Sequence, residues 1–171
     1  MSLQTIYLAG GCFWGISEFF SRIDGVISVE CGYANGNIHS PTYEQVKNQS
    51  ADAAETVAVS FDDEQISLSK LLQAFFLVID PLSLNRQGAD CGRSYRSGIY
   101  YTTEKQRDTA QQALLKLEGE LKQKSAVELL PLKSFYPAEE YHQNYLKKNP
   151  QGYCHVDFSK LKLFKDRYLQ Q

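Results

Sequence analysis

The sequence has little of what marks the more specialised protein classes, and each shortage excludes something. Basic residues do not dominate: 18 Lys and Arg stand against 20 Asp and Glu, a formal charge of -2, so the positive footprint needed for a nucleic-acid backbone is missing. No apolar run approaches the roughly 20 residues of a membrane span; the longest lies around Leu71 to Ile79. Met1 to Thr5 carries no basic segment of the kind that opens a secretion signal. Cys12, Cys31, Cys91 and Cys154 are too sparse for a disulfide framework and form no C-x-x-C pair. Their expected state is the free thiol of a reducing cytoplasm. His39, His142 and His155 are scattered, and the Cys154-His155 pair alone cannot close a metal site. Repeats, low-complexity tracts and linkers are absent as well. What is present is an ordinary globular composition, 43% hydrophobic and 22% charged. A length of 171 residues predicts a single domain, 1–171.

Periodicity predicts the elements. Thr5 to Ala9 is a β-branched and apolar strand ended by Gly10-Gly11, after which Cys12, Ile16, Phe19, Phe20 and Ile23 recur at helical spacing. Gly25 closes that helix, and Ile27, Val29, Cys31 and Tyr33 alternate as a half-buried strand. A loop rich in Asn, Gly, Ser and Pro follows. Thr56 to Phe61 is the next strand, and Leu68, Leu71, Leu72, Phe75, Phe76 and Ile79 form a helix stripe stopped by Asp80-Pro81. Leu82 to Arg96 has no periodicity and is expected to be a structureless loop that walls a site. Gly98 to Tyr101 reads as a strand, Thr103 with Gln106 as a capping box, and Ala110, Ala113, Leu114, Leu117 and Leu121 as a long helix. Val127 to Leu132 predicts a strand and Ala138 to Lys147 a short helix; Asn149-Pro150-Gln151-Gly152 then opens a weakly anchored tail carrying Cys154. The order strand, helix, strand, strand, helix, strand is the split β-α-β pattern of ferredoxin-like folds. The expected architecture is α+β, with helices packed on a mixed sheet and an extra C-terminal helix and irregular tail beyond it.

Cys12 falls where a strand turns through glycines into a helix, so free N–H groups and the positive helix end point toward its sulfur. Such a terminus is worth up to about 2 kcal/mol, enough to draw a thiol from about 8.5 toward 7. Known thiol chemistries differ in what they need nearby. A thioredoxin-like pair needs a cysteine at Gly15, a phosphatase loop needs an arginine where Glu18 stands, and a nucleophile elbow needs glycine at Trp14. What the chain offers instead is a nucleophilic thiol followed by Phe13 and Trp14, aromatics suited to wall a pocket for a small uncharged group such as a methyl or thioether.

Gly11-Cys12-Phe13-Trp14-Gly15, Gly32-Tyr33-Ala34, Pro41-Thr42-Tyr43, Ala54-Glu55, Tyr95-Arg96-Ser97, Ala138-Glu139-Glu140-Tyr141-His142-Gln143 and Gly152-Tyr153-Cys154 occur in this order. Together they resemble the A-type peptide methionine sulfoxide reductases from about Ile6 to His155. The resemblance implies that Cys12 attacks the sulfur of a methionine S-sulfoxide, free or in peptides, and is left as a sulfenic acid. Sulfenic acids condense with thiols. By the same resemblance Cys154 resolves it, and thioredoxin resets the disulfide.

The resemblance further implies that Glu55, desolvated between Ala53-Ala54 and an apolar strand, donates the proton. Tyr43 and Tyr95 would bind the sulfoxide oxygen, Phe13 and Trp14 the methyl group, and Asp90 the substrate amine or N–H. It implies no cofactor, a cytoplasmic location and a monomer. His142, a lone histidine on a helix, receives no chemical role. Asp52-Ala53 departs from the Gly-His that many members carry before Ala-Glu, which bears on the orientation and protonation of Glu55. Cys91 corresponds to no family cysteine and is either inert or a competing thiol. Two other readings use the same residues: a module that binds oxidised methionine or senses redox state, and a cysteine acyl hydrolase, for which no matched histidine base stands near Cys12 in sequence. A single methionine, Met1, fits an enzyme working amid methionine oxidation.

Overall fold

The structure, a computed structural model, describes residues 1–169. In chain order its elements are β1 (Leu3–Gly10), α1 (Phe13–Ser21), β2 (Val26–Ala34), α2 (Tyr43–Lys47), β3 (Ala54–Asp62), α3 (Leu68–Val78), the two-residue strands β4 (Arg86–Gln87) and β5 (Asp90–Cys91), β6 (Ser97–Tyr101), α4 (Glu104–Leu121), β7 (Glu128–Pro131), β8 (Phe135–Pro137), α5 (Tyr145–Lys148) and α6 (Ser159–Phe164).

The main sheet runs β7-β6-β1-β3-β2-β8. Its inner strands β6, β1, β3 and β2 pair antiparallel throughout, which is the strand order that the split β-α-β connection predicts. Register explains the core. Ile6 lies opposite Val59 and Leu8 opposite Val57, while Val29 and Cys31 face the same two valines from the other side. All six side chains therefore project to one face. Against that face α1 sets Ile16, Phe19 and Phe20, and α3 sets Leu71, Leu72 and Phe75, all within 1% of full burial. Each such side chain stabilises the fold by about 1.5–3 kcal/mol. A second, smaller cluster of Ala9, Ala34, Ala54 and Tyr100 covers the opposite face. Among the described residues no helix is long and apolar enough to cross a membrane.

Three segments differ from the sequence reading. Residues 82–96 are not structureless: they hold the β4–β5 hairpin and a 3-10 turn, Arg93–Tyr95. The expected helix from Ala138 to Lys147 is split into a 3-10 turn, Glu140–His142, and α5, because Asn144 takes a left-handed conformation (φ 53°) and Gln143 is drawn to the sheet edge. Its side chain donates to the carbonyls of Cys31 and Ala138 and accepts the Cys31 N–H at 2.9–3.1 Å, continuing the ladder where β8 stops. The tail beyond Cys154 is well anchored. Val156 and Phe164 are buried, Arg22 lies over the Phe158 ring at 4.6 Å, and α6 packs against α3. Periodicity also missed α2, a short helix opened by a capping box between Thr42 and Gln45.

Candidate active site

The site is assembled where β1 turns into α1. Gly11 takes φ +85°, a conformation open to glycine, and a Cβ there would stand 2.6 Å from Cβ of Gln87. Gln87 is buried and binds both Asp80 backbone groups and the Ser97 hydroxyl at 2.8–3.0 Å. It thereby locks the 82–96 segment against the turn. Cys12 is the N-cap of α1 and only 7% exposed.

Glu55 comes from β3, opposite Tyr33 of β2. Its Oε1 accepts the N–H of Phe13, the first helical residue after Cys12, at 3.3 Å. Burial, reinforced by the Asp90 charge, pushes the Glu55 carboxyl up to about 8, with the Phe13 N–H and Lys47 opposing. At neutral pH it is therefore a protonated acid next to the nucleophile.

The thiol behaves differently from the sequence expectation. Burial, and after it the Glu55 charge, push Cys12 above its ordinary value, although the Trp14 N–H favours the thiolate. Desolvation of a nearly enclosed sulfur outweighs the helix end. Protonation of Glu55 removes the second cause, which ties the reactivity of the thiol to the carboxyl being an acid.

Tyr43 opens α2 and Tyr95 ends the 3-10 turn. Both phenols are pushed up by burial and then by the Glu55 charge, Tyr43 to about 12, and both sense Cys12 electrostatically. Asp90 begins β5, and its Oδ2 is buried with no hydrogen-bond partner. Phe13 is buried between Tyr33 and His142, with ring centroids 5.8 and 5.2 Å away. Trp14 is half-buried and stacked on Tyr145 at 3.7 Å. The structure thus gathers Cys12, Glu55, Tyr43, Tyr95 and Asp90 around one turn, flanked by Phe13 and Trp14.

Cys154 approaches from the tail. A Cβ on Gly15, one helical turn beyond Cys12, would stand 2.4 Å from Cys154 Sγ. All four cysteines are free thiols. Cys31 is buried against the Phe13 carbonyl at 3.7 Å and pushed up to about 12 by burial, which makes it a core residue. Cys91 is exposed on the hairpin.

Sequence reasoning missed the residues that hold these groups in place. His142, given no role, is a hub: its Nδ1 accepts the Trp14 indole N–H at 2.9 Å, and its ring touches Phe13, Tyr43 and Tyr141. Glu139 accepts the Tyr33 hydroxyl at 2.7 Å and the Tyr43 N–H at 3.0 Å, which fixes α2 to β2. The only signal for either was membership of the Ala138–Gln143 motif. Asp52 binds Arg93 at 3.0 and 3.3 Å and Arg96 at 3.5 Å, tying the start of β3 to the turn that carries Tyr95. Ala53 is buried against Gly36.

A thiol beside a buried acid, phenols and a second thiol, on a ferredoxin-like α+β frame, defines the class as a thiol-dependent oxidoreductase. Comparison with known proteins makes it particular. Residues 4–171 match the family model for peptide methionine sulfoxide reductase. The chain is 49% identical over 154 residues to the peptide methionine sulfoxide reductase MsrA of Clostridium perfringens strain 13, covering 90% of this chain and 98% of that one. Among solved structures, reduced Mxr1 of Saccharomyces cerevisiae matches with a TM-score of 0.87 at 34% identity, covering 91% of this chain and 92% of that one. Methionine sulfoxide reductase A of Corynebacterium diphtheriae matches with a TM-score of 0.79 at 34% identity, covering 90% and 78%. A structure of Mxr1 in complex with Trx2 matches with a TM-score of 0.60 at 25% identity, covering 84% and 85%. The chain belongs to the peptide methionine sulfoxide reductase family.

Proposed function

We propose that the chain, as a single domain, reduces methionine S-sulfoxide, free or within peptides and proteins, through Cys12 and Cys154. The observation that carries this reading is the Glu55 carboxyl, buried, protonated near neutrality and held on the N–H next to Cys12. Cys12 sulfur attacks the sulfoxide sulfur while Glu55 delivers a proton to the departing oxygen. The oxygen passes to Cys12, methionine leaves, and a sulfenic acid remains. Tyr43 and Tyr95 donate to the sulfoxide oxygen as its charge changes. The unpaired Asp90 Oδ2 accepts a substrate N–H, which relieves a buried acceptor. Trp14, backed by Phe13, contacts the methyl group.

Cys154 then displaces the sulfenic oxygen as water, and thioredoxin reduces the resulting disulfide by exchange. The Mxr1–Trx2 complex supports that partner. In this reading the chain acts as a monomer in the cytoplasm, the compartment in which thioredoxin keeps thiols reduced. The test is methionine formation from separate S- and R-sulfoxides with excess dithiol. Product from the S form alone is expected; no product from either would reduce the protein to a binder or redox sensor.

A further inference from the structure

Three consecutive tail residues are fitted to glycines around Cys12. Cys154 Sγ and Val156 Cγ2 lie 2.4 and 3.0 Å from where a Cβ on Gly15 would stand. Between them, His155 turns to the other side of the catalytic turn. Its Nε2 lies 3.0 Å from the Cβ position of Gly11, and its Cβ lies 3.2 Å from that of Gly88 in the β4–β5 hairpin. The imidazole therefore fills a slot that exists because both walls are glycine.

The slot is not built for an apolar plug. Burial holds the imidazole below its ordinary value, while the Asp90 charge and the backbone carbonyls of Gly10 and Cys12 that face the ring pull the other way. Nε2 is buried, and none of these groups completes a hydrogen bond of full geometry with it. A buried polar atom without a well-formed hydrogen bond is costly, whereas Val156 next door anchors the tail at no such cost. We propose that His155 is a positioning residue: it registers the tail on the catalytic turn so that Cys154 is held for attack on oxidised Cys12. This rests on the reading of Cys154 as the resolving thiol.

In the step it assists, the Cys154 and Cys12 sulfurs bond, the Cys12 S–O bond breaks, and the hydroxyl leaves as water with the Cys154 proton. Cys12 sulfur is reduced as Cys154 sulfur is oxidised, and the oxidising equivalent is the one taken from methionine sulfoxide.

The experiment uses the full chain as His155→Ala and His155→Asn, mixed with methionine S-sulfoxide without reductant and quenched at intervals with a thiol-blocking reagent. Released methionine and the Cys12–Cys154 disulfide are both counted. In His155→Ala the disulfide is expected to form about tenfold or more slowly, with methionine release far less affected, so that sulfenic acid accumulates. His155→Asn, which keeps a polar group in the slot, recovers part of the rate. Disulfide formation at the native rate in His155→Ala overturns the proposal, and so does an equal fall in both steps, which would make His155 part of the site as a whole. Thioredoxin-driven cycling by Cys154→Ser would instead overturn Cys154 itself, independently of the His155 result.

Discussion

Placing the Glu55 carboxyl in the core at the start of α1 raises its pKa to about 8 from an ordinary 4.5. Two pH dependences follow. Reduction needs the protonated acid, so kcat is predicted to fall as pH rises through about 8. Glu55→Gln should lose that limb along with about 10²- to 10⁴-fold in rate, checked by pH–rate profiles of both proteins. Between about 4.5 and 8 the folded state binds the proton that the unfolded chain has released. The stability contributed by burying the neutral acid is therefore full below about 4.5 and lost as pH rises through about 8. Urea titrations should show Glu55→Gln matching the native chain at low pH and exceeding it above pH 8 by on the order of a few kcal/mol. At this scale the motif gave each residue's type and place, and the upward shift of Glu55 followed from the apolar strand beside it. The shift of Cys12 did not, because the helix end is local in sequence while the enclosing residues and the Glu55 charge arrive from β3 and the tail.

Between elements, small residues and side-chain tethers decide the geometry. Gly15 lies on α1 where an added Cβ would meet Cys154 Sγ at 2.4 Å. Gly15→Ala gains up to about 1 kcal/mol of helix propensity but sets a methyl group against Cys154 Sγ and the buried Val156, overpacking that costs about 1–3 kcal/mol. Stability should therefore fall slightly and disulfide formation slow more than methionine release, as urea titration and a quenched time course would reveal. Asp52 binds Arg93 and Arg96 at the turn that ends in Tyr95. Asp52 and Arg93 are about half exposed, so Asp52→Ala should lower stability by about 1 kcal/mol or less. Freeing the segment that carries Asp90 and Tyr95 is predicted to raise KM several-fold with a smaller change in kcat, measured by steady-state kinetics. Residues 82–96 were legible as a site wall but not as a hairpin. Strands of two residues locked by Gln87, and a 3-10 turn tied down by Asp52, leave no hydrophobic period to read, and the break at Asn144 shows the same limit for α5.

For the molecule as a whole, the order of elements was enough to give the sheet, because β1, β2, β3 and β6 carry strong alternation or continuous apolar runs and connections of this kind admit few arrangements. The tail was misjudged, since its polar opening at Asn149–Gly152 conceals the anchors Val156 and Phe164 further on. That anchoring matters to function, because it brings a thiol more than a hundred residues away in sequence to within one helical turn of Cys12. The proposed mechanism stands or falls on the pairing of those two sulfurs. Its most direct test is to treat the reduced chain with methionine S-sulfoxide in the absence of reductant, denature it, block the remaining thiols and map the peptides by mass. About one methionine per chain should appear, with Cys12 joined to Cys154 and with Cys31 and Cys91 both blocked as free thiols. A bridge from Cys12 to Cys91, or methionine release with no loss of the Cys154 thiol, would contradict it.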